Sequence, residues 1–115
     1  MDNIKNTVLI TALSQLQKDI FENAKNHGWW DKPVNSAERI CLMHSELSEA
    51  LEALREGNLP DKHLPEFLSE EVELADVIIR ILDYAEGMNL RVIEAILAKA
   101  DYNKTREYKH GGKLF

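Results

Sequence analysis

Hydrophobic positions recur every three or four residues along most of the chain, which is the period of an amphipathic α-helix. The pattern is interrupted by prolines at positions 33, 60 and 65 and by glycines at 28, 57, 87, 111 and 112. None of the segments between these breaks alternates in the manner of a β-strand. The sequence therefore predicts an all-α fold, a four-helix bundle with short connections, in a single domain of residues 1–115.

The first two predicted helices have recognisable ends. The first covers residues from about 5 to 27, and Gly28 stands where a left-handed C-terminal cap is expected. Ser36 is the predicted N-cap of the second helix, which ends at Gly57.

The last two predicted helices follow a loop. Residues 58–65 contain two prolines and are predicted to be this loop. The third helix is expected from about residue 66 to 86 and is stopped by Gly87. Asn89 is the predicted cap of the fourth helix, which runs from 90 to about 109 before two glycines.

The third predicted helix is apolar around well over half of its circumference. A helix on the surface of a single domain needs an apolar stripe of only about 100°. The three other helices of a 115-residue chain offer too little surface to cover the excess. We therefore expect a second copy of the chain, packed through helices two and three, as a homodimer.

Composition narrows the class of protein further. The chain has 14 Lys and Arg against 20 Asp and Glu, a formal net charge of −6. Binding to a nucleic-acid polymer needs clustered positive charge, so this charge balance argues against that role. Apolar residues make up 44% of the sequence, which is typical of a globular protein.

Cysteine content and hydropathy indicate a reducing compartment. The single cysteine, Cys41, excludes an intramolecular disulfide and a thiolate zinc cluster, and we interpret it as a small core or interface residue. No apolar run approaches the roughly 18 residues of a membrane span, and the first residues lack the features of a secretory signal. The prediction is a cytoplasmic protein without membrane association.

Two pairs of acidic residues occupy the predicted second and third helices. Glu46 and Glu49 are three residues apart, as are Glu73 and Asp76, so each pair shares a helix face. If the helices are antiparallel neighbours, the four carboxylates converge and repel one another unless cations bridge them. Oxygen ligands of this kind suit Mg²⁺, with Mn²⁺ as a substitute.

Most helical glutamates lie on solvated faces, which is the ordinary alternative for these residues. Two features favour a site. Glu46 and Glu49 lie on a stripe bounded by the apolar residues Leu42 and Ala53, and Glu49 is expected to lie deepest on that stripe. The pairs also lack obvious basic partners at helical spacing, since only Arg80 is placed near Asp76 and Glu73, four and seven residues away.

Two further groups of residues have side chains suited to a nucleotide. Lys99, Asn103 and Arg106 form a row on the fourth helix that could donate to phosphate oxygens, although cations also favour a helix C-terminus for its dipole. Trp29 and Trp30 could offer a face to a nucleobase, although a Trp packed over a helix end is the commoner arrangement. His27, His44 and His63 have no partner at metal-ligand spacing and are interpreted as structural or surface residues.

Together these residues resemble the MazG-like all-α nucleoside triphosphate pyrophosphohydrolases, which include dimeric dUTPase relatives and dCTP pyrophosphatases. The resemblance rests on Glu46-x-x-Glu49, a loop, and Glu73-x-x-Asp76, followed by the row Lys99, Asn103 and Arg106. It covers roughly residues 28–110. The order of the two acidic pairs, together with the basic row, is considerably more specific than either alone.

The resemblance implies a reaction and a set of roles. The reaction is hydrolysis of a nucleoside triphosphate between the α- and β-phosphates, giving a monophosphate and pyrophosphate. The four carboxylates correspond to Mg²⁺ ligands, the row on the fourth helix to triphosphate contacts, and Trp29 or Trp30 to the neighbourhood of the base. The implied assembly is an intertwined homodimer, in some members paired into a tetramer.

The sequence departs from the family pattern at two positions. Ser45 stands where many members have a further glutamate, so another carboxylate must activate water, and Glu49 is the first choice ahead of Glu46. Arg80 stands where some relatives have tyrosine, and it either contacts phosphate or pairs with Asp76. Base and sugar preference therefore do not transfer from the family.

Two other classes of protein compete with this interpretation. A non-catalytic helical dimer that binds a protein partner accounts for the apolar third helix but not for the acidic stripe. A di-iron carboxylate bundle normally uses two Glu-x-x-His pairs, and this chain offers one, Glu107 to His110, beside two glycines.

Overall fold

A computed structural model describes residues 3–106, which form four α-helices. They are α1 (Asn3–Asn26), α2 (Ser36–Arg55), α3 (Ser69–Gly87) and α4 (Val92–Lys104). The prediction of an all-α fold is confirmed, and the β-structure recorded for these residues is one isolated bridge between Pro60 and Leu68. The most extensive packing joins α2 to α3, while α1 packs on α3 and α4 packs on α1.

Three of the helices end in the same hydrogen-bonded turn. After α1, Trp29 donates its backbone N–H to the Ala24 carbonyl at 3.1 Å, and Gly28 between them has a φ of +88°. This arrangement is a Schellman motif and confirms the predicted cap at Gly28. The same bonds close α2 around Gly57 and close α3 around Asn89.

The predicted roles of Gly87 and Asn89 were wrong. Gly87 is the last residue of α3, and Asn89, with a φ of +57°, terminates that helix instead of capping α4. The reason for a glycine at 87 is a close contact with the Trp30 side chain from the connection between α1 and α2. A Cβ there would lie 2.0 Å from Cη2 of Trp30, so the indole packs directly on the bare backbone.

Helix starts also differ from the predictions. The N-cap of α2 is Asn35, whose side chain accepts from the Glu38 N–H at 3.1 Å, and Ser36 is already helical. α3 begins at Ser69, three residues later than predicted, because the preceding residues are held in a loop by the Ser69 N–H bond to the Leu59 carbonyl.

The fourth helix is shorter than predicted. It begins at Val92 after an N-cap at Arg91 and ends at Lys104. Predicted helical residues 107–109 and the two glycines after them lie outside the described residues, as does the Glu107–His110 pair considered for iron.

The core of the described chain is small. Its buried apolar side chains come from three helices: Ala50, Ala53, Leu82, Ala85, Ile93 and Leu97. Gln17 of α1 is also buried and donates to Glu86 Oε1 at 2.9 Å, which links α1 to α3. Half of the buried apolar residues are alanines, so a single chain gains limited stability from burial.

A continuous apolar surface stays uncovered on α2 and α3. We call it the apolar face, and its members are Leu47, Leu51, Leu54, Leu74 and Ile78. Each is between 41% and 57% exposed. The predicted excess of apolar surface on α3 is therefore present. Cys41, expected in a core or interface, is exposed on α2 in the single chain.

None of the helices within residues 3–106 combines the length and apolar character needed to cross a lipid bilayer.

Candidate active site

The candidate site lies between α2 and α3, which run in opposite directions. Glu46 meets Asp76 and Arg80, whereas Glu49, one turn further along α2, lines a cleft with Glu73, one turn earlier on α3. The predicted antiparallel arrangement thus places the two i, i+3 pairs side by side. The two levels of the site are separated by three residues of helix, or about 4.5 Å along its axis.

Three of the four predicted carboxylates form a compact group, which we call the acidic cluster: Glu46, Glu73 and Asp76. One oxygen from each lies within 4.8 Å of the other two, and all three residues are half-buried. Glu49 is exposed and stands outside this group, so the expectation that it lies deepest was wrong. The Glu46 side chain is 18% exposed and lies deeper.

The cluster carries negative charge that the protein only partly compensates. Burial raises the pKa of Glu73, and the nearby carboxylates of Asp76, Glu46 and Glu49 raise it further. Burial and the Glu46 charge also raise the pKa of Asp76, against a smaller lowering by Arg80. A cation between these oxygens would relieve the repulsion.

Arg80 connects the acidic cluster to an aromatic side chain. Its Nε donates to Glu46 Oε1 at 2.8 Å, and its guanidinium carbon lies 5.2 Å from the centre of the Trp29 ring. The predicted ion pair with Asp76 is thereby replaced by one with Glu46, because the helix register brings Arg80 across to α2. The second Glu46 oxygen receives no hydrogen bond from Arg80 and is free to bind a cation.

A large cleft opens beside this group, and we call it the Trp29 cleft. It has a volume of about 630 Å³ and is lined by Glu46, Asp76, Arg80 and Trp29, together with Asp19 and Asn23 of α1 and His27 just after that helix. Trp29 is 50% exposed, which leaves much of its indole available to a ligand. A cleft of this size can hold a nucleoside-sized molecule.

Trp30, predicted as an alternative base contact, is a structural residue instead. Its Nε1–H donates to Asp83 Oδ1 at 2.9 Å, and its ring makes an edge contact with Phe21. The guanidinium carbon of Arg39 lies over the Trp30 ring, 4.4 Å from its centre. The Nη1 atom of Arg39 also lies 3.7 Å from Asp83 Oδ2. Trp30 lines neither the Trp29 cleft nor the cleft described next.

A second cleft adjoins the opposite end of the acidic cluster, and we call it the Lys62 cleft. It has a volume of about 320 Å³ and lies between α2, the α2–α3 loop and the start of α3. Its charged lining residues are Glu49, Glu52, Glu56, Lys62 and Glu73. The acidic cluster therefore stands between two clefts of different character.

The predicted phosphate row of α4 is not near the cluster within one chain. Lys99, Asn103 and Arg106 are exposed and line neither cleft. The Lys99 ammonium lies 4.6 Å from the centre of the Tyr102 ring on the same helix. The direction of the polar face of α4 is set by the packing of α4 on α1. Helical spacing within α4 does not predict this packing.

Sequence reasoning missed the α1 side of the Trp29 cleft. Asp19, Asn23 and His27 follow one another at intervals of four, so they share a helix face beside the apolar stripe. His27 directs Nδ1 to the Asn23 carbonyl at 2.7 Å and retains its second ring nitrogen for other partners. The spacing of these three polar residues was the sequence feature that could have predicted this side of the cleft.

The donor set fits a hard divalent cation. Half-buried carboxylates with raised pKa values and oxygens within 4.8 Å suit Mg²⁺ or Mn²⁺, which bind carboxylate oxygens and fill their remaining positions with water or phosphate. No protein-family model, curated protein or solved structure matches the chain.

Proposed function

We propose that the protein is a Mg²⁺-dependent nucleoside triphosphate pyrophosphohydrolase of the MazG-like type. The observation that carries this proposal is the acidic cluster, built by two antiparallel helices and opening on a cleft with an exposed tryptophan. The order of the acidic pairs in the sequence supports the same class. The cellular role would be control of the nucleotide pool or removal of unwanted nucleotides.

In this reaction water attacks the α-phosphorus of the substrate. The bond from that phosphorus to the bridging oxygen breaks, and its electron pair leaves with pyrophosphate. Glu46, Glu73 and Asp76 would hold the cation, which neutralises phosphate charge and acidifies water when bound.

The protein's remaining polar groups have separate tasks. Glu49 stands beside the cluster, outside the three-carboxylate group, and is the proposed acceptor of the water proton, with Glu46 the alternative. Arg80 orients Glu46 through its 2.8 Å bond. Trp29 would contact the base, and Trp30 would hold the wall behind it.

The proposed assembly is a homodimer joined through the apolar face. A radius of gyration of 16.7 Å is large for one chain, since a compact domain of about 100 residues has roughly 13 Å. The apolar groove between Leu47, Leu51 and Leu74 has a volume of about 420 Å³. Lys99, Asn103 and Arg106 stay proposed phosphate contacts and would reach the phosphates of the partner's site, directly or in a dimer of dimers.

The deciding experiment is incubation of the protein with Mg²⁺ and a panel of ribo- and deoxyribonucleoside triphosphates. Monophosphate plus pyrophosphate, with loss of both on chelation, is the expected result. Diphosphate plus orthophosphate would contradict the assigned bond, and no turnover on any substrate would contradict the activity.

A non-catalytic helical interaction module is the second candidate, favoured by the exposed apolar face. It requires no cation. Thermal unfolding with and without Mg²⁺ separates the two, because a ligand that binds the folded state raises its melting temperature. A marked increase supports the hydrolase, and none supports the interaction module.

A further inference from the structure

The two clefts define a direction along the candidate site. Starting at the α2–α3 loop, the order is Lys62, then the Glu49 and Glu73 level, then the Glu46 and Asp76 level, and finally Trp29. This order follows from the antiparallel helices, which place the two levels three residues apart, or about 4.5 Å along the helix axis. Adjacent phosphorus atoms of a triphosphate are closer together than this, so the two levels span more than one phosphate step and the second level can hold the β- and γ-phosphates together.

We propose that the nucleoside occupies the Trp29 cleft and the leaving pyrophosphate occupies the Lys62 cleft, where the Lys62 ammonium contacts it. This inference rests on the proposed function and adds the orientation of the substrate. The α-phosphate would then lie at the Glu46 and Asp76 level, and the β- and γ-phosphates at the Glu49 and Glu73 level. Water must attack the α-phosphorus from the side opposite the leaving pyrophosphate, so in this orientation the proton acceptor is Glu46, the alternative named above, and not Glu49.

The nucleoside end is assigned by its chemistry. A half-exposed indole offers a stacking surface, which a base uses and pyrophosphate does not. The cleft is also the larger of the two, at about 630 Å³ against about 320 Å³. Its cation, Arg80, is already bonded to Glu46.

The pyrophosphate end is assigned by Lys62. This side chain is exposed and, among the described residues, has no ion-pair partner, although Glu49, Glu52, Glu56 and Glu73 line the same cleft. An unpaired ammonium among carboxylates is available to an anion that arrives with its own cations.

The backbone around Lys62 is well fixed. Asp61 Oδ2 accepts from the N–H groups of His63 and Leu64, each at 2.9 Å, and the Asp61 N–H donates to the Phe67 carbonyl. Lys62 is thus carried by a turn with a defined shape. A lysine on such a turn loses less freedom on binding than one on a loose loop.

The test is calorimetric binding of the two products separately. Inorganic pyrophosphate and a nucleoside monophosphate, each with Mg²⁺, are titrated into the wild type, Lys62→Met, Lys62→Arg and Trp29→Leu. Lys18→Met is the matched control, because Lys18 is exposed on α1 and lines neither cleft.

Each variant should affect one product. We expect Lys62→Met to weaken pyrophosphate binding about tenfold and leave the monophosphate unchanged, with recovery in Lys62→Arg. Trp29→Leu should weaken the monophosphate about tenfold and leave pyrophosphate unchanged. Lys18→Met should match the wild type for both.

Two results would overturn the inference while leaving the proposed function intact. One is wild-type pyrophosphate affinity in Lys62→Met, and the other is a loss of monophosphate affinity in that variant. If the wild type bound neither product and cleaved no triphosphate, the proposed function itself would be wrong.

Discussion

At the scale of single residues, the acidic cluster is a balance between repulsion and one ion pair. Arg80 compensates Glu46, whereas Glu73 and Asp76 remain beside one another in a half-buried setting. Such a group is poorly suited to a stable apo protein and well suited to binding a cation. Two predictions follow from this charge distribution.

The first concerns turnover. Glu73→Gln removes one charged ligand while preserving the shape of the side chain. We expect kcat to fall at least about 100-fold, above the effect of groups that only orient a metal ligand. Steady-state pyrophosphate release measures this, and the oligomer should persist on size-exclusion chromatography.

Glu22→Gln is the matched control, because Glu22 is an exposed glutamate of α1 that lines neither cleft. It should retain wild-type turnover. Full activity in Glu73→Gln with Mg²⁺ present would remove the acidic cluster from the reaction.

The second prediction concerns pH. The pKa values of Glu73 and Asp76 are raised in the folded protein above ordinary values of 4.5 and 3.8. The folded state therefore binds more protons than the unfolded state across that window, and its stability falls as pH rises through the folded pKa values. Mg²⁺ should offset this loss at neutral pH, where the carboxylates are ionised.

Melting temperatures of the metal-free wild type and Glu73→Gln, measured between about pH 4 and about pH 8, check the sign. The variant should gain stability relative to the wild type as pH rises. A constant difference in melting temperature across the range would show that the Glu73 charge is not destabilised by burial or by the neighbouring carboxylates.

At the scale of helices, local sequence predicted the number of elements and several of their ends. The glycine at 28 acts as predicted because a left-handed cap is a property of its own backbone. The predicted role of Gly87 as a helix stop was wrong because a glycine is needed there to make room for Trp30, which packs on it from a different part of the chain. Similar glycines in a sequence thus serve different purposes that only packing separates.

The candidate site shows the same division. Spacing within each helix, with an antiparallel arrangement, brought Glu46, Glu73 and Asp76 together, whereas Glu49 lies outside the group. The partner of Arg80 depends on the register between α2 and α3, and the position of the Lys99 row depends on how α4 packs on α1. Neither the register between α2 and α3 nor the packing of α4 on α1 can be predicted from the periodicity of one helix.

The third prediction concerns the contact of Trp30 with Gly87. Gly87→Ala would place a methyl group 2.0 Å from the indole, forcing the ring to move and weakening its bond to Asp83. We expect a loss of about 1–3 kcal/mol in the free energy of unfolding, although alanine normally favours a helix. Urea unfolding at fixed protein concentration measures it.

The control is the same substitution in a Trp30→Leu background. There the methyl group has room, so Gly87→Ala should be neutral or stabilising. An equal loss in both backgrounds would place its cause in the helix backbone and not in the indole contact.

At the scale of the whole molecule, the single chain looks incomplete. Its core is small, its apolar face is uncovered, and the basic row of α4 stands away from the acidic cluster. A second chain would address all three features at once. This reasoning yields the fourth prediction.

Ile78→Asp introduces a charge at a position that is 57% exposed within the apolar face. Light scattering should show a change from a dimer to a monomer of 13.2 kDa, because burying an unpaired carboxylate in an apolar interface is costly. Turnover should fall with the dimer if the α4 row acts on the partner's site.

Leu64→Asp is the matched control, since Leu64 is 48% exposed on the α2–α3 loop, away from the apolar face. It should remain a dimer. A wild type that is monomeric, or an active Ile78→Asp monomer, would contradict the shared assembly.

Trp29 and Trp30 are adjacent in sequence but lie in opposite surroundings. Trp29 is exposed in the cleft beside a guanidinium, whereas Trp30 is fixed to a carboxylate in the wall. Since they are the only tryptophans in the sequence, the protein contains two intrinsic fluorophores in different environments. Quenching of Trp29 by acrylamide would report occupation of the cleft, while the emission of Trp30 would report the integrity of the fold in the same spectrum.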